Sequence, residues 1–239
     1  MPLLQVENVT KCFGALQAVR DVSFGLQNGE MLGLIGPNGA GKTTIFNMIA
    51  GNYSPDNGKI LFKGKRIDGK KPYEICHLGI SRTYQLVKPF LSQTVFENAL
   101  LGASFGGIHR SDSTKAAEAA ISLVGLESLR EKFVNSLDFL HRRKAELARA
   151  LATGAKLILL DEPMAGLNPV EVAEFLDIIK KINSTGTTIL LIEHVMHAIM
   201  QLSSRIIVLD HGEKIAEGSP PEIAQDAKVI QVYLGEQQG

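Results

Sequence analysis

Net charge, cysteine and long apolar runs are what this chain has least of. Its 239 residues carry 25 basic and 25 acidic side chains, so bulk charge offers nothing to a polyanion or an anionic membrane surface, and no nucleic-acid partner is expected. Any partner must be recognised locally. Cysteine occurs only at Cys12 and Cys76, far apart and without CxxC spacing, which argues against a disulfide framework and fits a reducing cytosol. Apolar runs such as residues 157–160 and 189–192 are far shorter than a membrane span and read as buried strands of a parallel sheet. The opening residues, Met1-Pro2-Leu3-Leu4-Gln5, join no basic segment to an apolar one, so no signal peptide is expected. Work at a membrane would therefore run through a partner. A hydrophobic content of 45% and a charged content of 21% are those of an ordinary globular protein, long enough for one large α/β domain or a core with an insert. There is no internal repeat and no low-complexity segment.

What is present centres on Met31-Leu32-Gly33-Leu34-Ile35, an apolar run that turns into a glycine-rich loop and then a helix expected over residues 44–50. Gly36, Gly41, Lys42 and Thr43 fit G-x-x-x-x-G-K-[ST], a phosphate-binding loop. Its glycines let successive backbone N–H groups point inward with no Cβ in the way, and the helix N-terminus adds unpaired N–H groups and partial positive charge. Lys42 is expected to reach the β- and γ-phosphates and the Thr43 hydroxyl to ligate Mg²⁺.

Around this loop the chain reads in two styles. Short extended segments at 4–9, 18–24 and 58–62 predict a small antiparallel sheet, and residues 80–85 lead from a strand into a loop. Residues 94–153 read as helical, with helices at 113–124 and 139–151. Strands at 157–160, 187–192 and 206–209 then alternate with helices at 169–182 and 195–202, the pattern of a doubly wound parallel sheet. Leu157-Ile158-Leu159-Leu160-Asp161-Glu162 is an apolar strand ending in two carboxylates, delivered to the sheet edge where ligands of open α/β folds sit. In this Walker B arrangement Asp161 is expected to hold Mg²⁺, through water, and Glu162 to polarise the attacking water as general base. His194 and His197 make an H-x-x-H spacing without a third ligand.

With both halves in place, the chain resembles the ATP-binding subunit of an ABC transporter over nearly its whole length. Gln85 matches the family's Q-loop glutamine, implying an approach to Mg²⁺, and His194 matches the switch histidine that contacts the γ-phosphate. Phe13 matches the aromatic that stacks on adenine, with Val19 nearby. The resemblance thus implies catalytic roles for Glu162, His194, Lys42 and Gln85, and metal contacts from Thr43, Gln85 and Asp161. Nucleotide contacts are implied for Phe13, Val19, Asn38, Gly39, Ala40, Gly41, Lys42, Thr43 and Thr44. Gly166, Leu167 and Asn168 resemble the dimer loop that crosses to the opposing subunit. Asn168 also suits a helix N-cap, with Pro169 at the first helical position and Glu171 as capping-box partner. Ile80-Ser81-Arg82-Thr83-Tyr84-Gln85, Ile215-Ala216-Glu217-Gly218 and Val232-Tyr233-Leu234-Gly235 are most similar to branched-chain amino-acid importers, with lipopolysaccharide-export ATPases the nearest competitor. A soluble ABC protein of translation or repair is a third reading, though tandem nucleotide domains and long coiled-coil insertions are lacking.

One motif departs from the family. Where the signature loop LSGGQ belongs, this chain has Leu137, Asp138, Phe139, Leu140 and His141. Asp138 turns a like charge toward a polyphosphate, and the Leu140 side chain is expected to obstruct the close approach a glycine allows. Locally, Asp138 also suits an N-cap for the helix at 139–151. The run Arg142-Arg143-Lys144 reads as a solvated helix face. In the family this loop completes the other subunit's site, so an altered one implies weak self-hydrolysis and a heterologous ATPase partner.

The fold expected is α/β: a P-loop NTPase core with a parallel sheet, an N-terminal antiparallel β portion and an inserted helical subdomain. One ABC ATPase domain is expected over residues 1–239, its core at 1–92 and 154–239 and its helical subdomain at 93–153. The resemblance implies ATP and Mg²⁺ as cofactors, transmembrane permease subunits and a second ATP-binding subunit, homo- or heterodimeric and head-to-tail, as partners, and a cytoplasmic place on the inner face of the membrane.

Overall fold

Two long strands with alternating burial open the chain of the computed structural model, which describes residues 1–83, 89–107 and 112–236. β1 (Leu4–Phe13) and β2 (Leu16–Leu26) pair antiparallel around the turn at Gly14, and both run longer than the apolar residues alone marked, because the polar, half-buried Lys11 and Gln17 still extend the ladder. β3 (Met31–Ile35), buried throughout, enters the glycine-rich loop, and α1 (Lys42–Ile49) leaves it. β4 (Asn57–Phe62) and β5 (Lys65–Arg66) complete an antiparallel sheet of order β2-β1-β4-β5.

The next segment holds α2 (Pro72–Leu78), β6 (Ile80–Arg82), α3 (Val95–Phe105), α4 (Ser113–Leu123), α5 (Phe139–Ala152), β7 (Leu157–Asp161) and α6 (Pro169–Ser184). Thr94 and Glu97 form a capping box at the start of α3. Asn168 caps α6 as its sequence suggests, accepting from the N–H groups of Val170 and Glu171 while Glu171 accepts from the N–H of Asn168. Phe175, Leu176, Ile179 and Ile182 of α6 are buried, and Val172 is half-buried.

The last segment is β8 (Thr188–Ile192), α7 (Met196–Leu202), β9 (Arg205–Asp210), β10 (Glu213–Gly218), α8 (Pro220–Gln225) and α9 (Ala227–Glu236). The chain divides into two units, Met1–Pro72 with Thr188–Gly239, and Tyr73–Thr187. In the first, β3 runs parallel to both β8 and β9, and β10 pairs antiparallel with β9. In the second, β6 and β7 run parallel and α3, α4 and α5 pack together. β3, β7 and β8 are buried at every position, and each fully buried Leu or Ile contributes roughly 1.5–3 kcal/mol, which is why these strands read as unbroken apolar runs. Among the described residues no helix is long and apolar enough to cross a membrane.

Candidate functional site

The first unit carries the phosphate loop. β3 delivers the chain into Gly36, and α1 starts at Lys42 behind Gly41, whose φ of 99° is in the left-handed region and whose added Cβ would lie 2.5 Å from the Ala18 carbonyl oxygen. A side chain fits neither the angle nor the space. No side chain caps α1, and a helix start of this kind, with its partial positive charge, suits an anion. Ala40 is buried, Asn38 and Gly39 are exposed, and Thr43 and Thr44 stand on the first turn, Thr43 exposed and Thr44 half-buried. Lys42 is buried, its ammonium donating to the carbonyl oxygens of Gly36 at 2.6 Å and Pro37 at 2.7 Å, which lays it back along the loop. The β9–β10 turn braces the loop from behind, where the Gly212 N–H donates to the Ala40 carbonyl at 3.2 Å.

Phe13, at the end of β1, is 42% exposed and meets Tyr53 edge to face with ring centroids 5.2 Å apart. Val19 is fully buried, and an added Cβ on Gly41 would sit 3.3 Å from its Cγ2, so Val19 supports the loop from below. Tyr53, also exposed, was not singled out by the sequence; its signal is an aromatic just past the end of α1. His194 is exposed in the turn between β8 and α7. Its neighbour Glu193 is buried and accepts from the N–H groups of His194 at 2.8 Å and Val195 at 3.0 Å. Glu193 fixes the turn that presents the histidine, a second residue the motif reading missed.

The second unit carries the acid pair. Asp161 ends β7, buried, with Arg82 of β6 donating from Nη2 to its Oδ2 at 2.6 Å. Glu162 follows at φ 48°, a left-handed angle uncommon for a residue with a side chain, and half-buried. Such strain persists where surrounding structure over-determines it, commonly at functional turns. The turn continues through Gly166 and Leu167 to Asn168, with the Ala165 N–H donating to the Glu162 carbonyl. Gln85 lies outside the described residues.

The signature segment is also here, and two expectations about it are corrected. Asp138 does cap α5, accepting from the His141 N–H at 2.9 Å, and that bond first, the His141 ring second, holds its carboxyl below the usual range. Leu140, however, is only 6% exposed: its side chain turns into the helical core and does not stand in the way of an approaching ligand. Asp138 and Phe139 are the outward-facing pair, with the Phe139 ring close enough to Gly166 that an added Cβ there would meet it at 3.2 Å. Nor is Arg142-Arg143-Lys144 a solvated face. Arg143 is buried, stacks 5.2 Å from the Phe139 ring centroid and donates to the Ala165 carbonyl, while buried Lys144 is paired with Glu174. Arg142 donates to the carbonyls of Leu137 and Asn135. α5 is enclosed on more than its apolar stripe, so long cationic side chains lie along protein and end on carbonyls or a carboxylate.

A glycine at 140 therefore removes core. Leu140→Gly is expected to destabilise the protein by about 3–5 kcal/mol, from the lost buried side chain and the helix penalty of glycine together, visible as an earlier urea midpoint. Asp138→Ser, which keeps a capping oxygen, should change stability by less than about 1 kcal/mol.

The ABC transporter family model matches residues 19–165, and a model described as branched-chain amino acid ATP-binding cassette transporter matches residues 213–238. The chain is 38% identical to the high-affinity branched-chain amino acid transport ATP-binding protein LivG of Escherichia coli K12, with 98% of each chain covered. It is 35% identical to the high-affinity branched-chain amino acid transport ATP-binding protein BraF of Pseudomonas aeruginosa PAO1, again covering 98% of each chain. Among solved structures, the ADP conformation of an ATP-binding cassette of an ABC transporter superposes with a TM-score of 0.90 at 31% identity, covering 98% of this chain and 99% of that one.

Proposed function

Because the chain belongs to the ABC transporter family of ATP-binding proteins, we propose that it binds and hydrolyses ATP to power a permease importing branched-chain amino acids or related small solutes. The observation that carries the reading is the loop itself: an uncapped helix start behind Gly41, with Lys42 held along it, offers amide donors and an ammonium to a polyphosphate. Phe13, supported by Tyr53, takes an adenine face. Asn38, Gly39, Ala40 and Gly41 bind phosphate through the backbone, and Lys42 binds the β- and γ-phosphates. Glu162 takes the proton of the attacking water, and His194 donates to the γ-phosphate. Thr43 hydroxyl and Asp161 carboxylate are hard oxygen donors, the set that suits Mg²⁺. Those two residues, with Gln85, would hold it, and the ion supplies charge neutralisation on the phosphate oxygens.

The partners of this reading are transmembrane permease subunits and a second ATP-binding subunit in head-to-tail arrangement, which places the chain peripherally on the inner face of the membrane. The dimer loop at Gly166, Leu167 and Asn168 and the segment from Leu137 to His141 are its contacts to the second subunit. The outward Asp138 and Phe139 favour a heterologous partner, since this chain's own triphosphate site needs a good signature loop from elsewhere whereas the partner's site receives the altered one.

Calorimetry with Mg-ATP, followed by phosphate release from the protein alone and mixed with its cognate second cassette, tests the reading. Binding is expected at micromolar to millimolar nucleotide, with turnover raised at least about tenfold by the partner, an effect of roughly 1.4 kcal/mol on the barrier. No heat on mixing with Mg-ATP would refute the function, and vigorous turnover by the isolated chain would refute the heterologous pairing alone.

A further inference from the structure

Asp161 is not an open carboxylate. Its Oδ2 accepts from Nη2 of Arg82 at 2.6 Å, and the two side chains are 5% and 7% exposed, so this is a buried ion pair inside the second unit. Strand register makes it. β6 and β7 run parallel with Arg82 opposite Leu159, and the next rung, Thr83 N–H to the Leu159 carbonyl at 3.0 Å, holds the strands together there, two residues before Asp161. Asp161 follows Leu159 by two residues and so shares its face of the strand, which places the guanidinium, leaving from the last residue of β6, on a diagonal from the carboxylate that ends β7.

We propose that Arg82 is the resident counter-ion of Asp161 and competes with Mg²⁺ for its carboxylate, so that metal binding exchanges one cation partner for another. The inference rests on the reading of Asp161 as the metal-binding carboxylate. The planar guanidinium fork of arginine matches a carboxylate, which makes it a fitting resident partner for a buried one. A buried carboxylate stripped of its partner is strongly unfavourable, which is why a cation belongs there whether or not a dication has arrived. A dication drawn to the same carboxylate meets a fixed positive charge a few ångströms away and must displace it or share the oxygens with it. Arg82 is thus a positioning residue: it touches the metal's ligand rather than the reacting atoms, and it sets how much Mg²⁺ the site requires.

The test titrates Mg²⁺ into the protein with saturating ADP, read by calorimetry and by thermal melting, with no turnover involved. Arg82→Gln is expected to lower the Mg²⁺ concentration for half-saturation about tenfold or more. It should also melt earlier than the wild type in EDTA and recover most of that difference with Mg-ADP. Arg82→Lys, which keeps a cation but not the fork, should fall between the two and serves in place of Arg82→Gln if that variant does not fold. If Asp161→Asn weakens the Mg²⁺ response while the Arg82 variants titrate like the wild type, the exchange is overturned and the metal reading stands. If Asp161→Asn leaves the Mg²⁺ response untouched, the metal reading fails and takes the exchange with it.

Discussion

Glu162→Gln is expected to lower ATP turnover by at least about 10²-fold while leaving the affinity for ATP within a few-fold of the wild type. The substitution keeps shape and hydrogen-bonding reach and removes only the basic carboxylate, so an effect confined to turnover identifies the proton acceptor. The backbone here adds a second arm. Glu162 sits at φ 48°, where a residue with a Cβ pays about 1–2 kcal/mol and glycine does not. Glu162→Gly should consequently lose turnover as completely as Glu162→Gln yet melt no earlier than the wild type. A residue kept for stability would give the opposite pattern. Phosphate release with the cognate second cassette, binding by calorimetry and a melting curve on each variant decide the matter. Undiminished turnover in Glu162→Gln would move the base elsewhere, and His194, exposed at the β8–α7 turn, would be the next candidate.

The parts of this fold that announce themselves in the sequence are those whose cause is local. The glycine spacing of the phosphate loop, the unbroken apolar strands and the caps at Asn168 and Asp138 each depend on residues within a few positions of one another, and each stands where the local pattern puts it. The Arg82–Asp161 pair is different: the residues are 79 positions apart, and only the register of β6 against β7 joins them. The Arg142-Arg143-Lys144 run misleads for a related reason. Charge suggests solvent, but the acceptors that bury Arg143 and Lys144, the Ala165 carbonyl and Glu174, arrive from beyond β7. Leu140 likewise reads as an obstruction by comparison with a glycine, whereas helical geometry rotates it inward. Tyr53 becomes visible only once the antiparallel sheet carries Phe13 to it.

Gly36→Ala should abolish nucleotide binding at any practical concentration and lower stability by about 3 kcal/mol, whereas Gly39→Ala, three residues on in the same loop, should cost only about 1 kcal/mol. Both glycines have positive φ, 145° and 81°, so an argument from backbone freedom alone predicts comparable penalties. Space separates them. An added Cβ on Gly36 would lie 2.1 Å from the Leu209 carbonyl oxygen and 3.2 Å from the Ala40 Cβ, while one on Gly39 would meet nothing within 4 Å. Leu209 belongs to β9, which is hydrogen-bonded along β3, so its carbonyl has no room to retreat without opening the parallel sheet. Relief must come from the loop, and a shift there moves the Gly36 and Pro37 carbonyls that hold the Lys42 ammonium. The two variants thus separate a loop that binds phosphate because it is flexible from one that binds because it is pressed against the sheet. Equal losses of Mg-ATP affinity and of melting temperature in both would favour the first. Loss concentrated in Gly36→Ala would show that close packing of β3 against β9 sets the shape of the cradle.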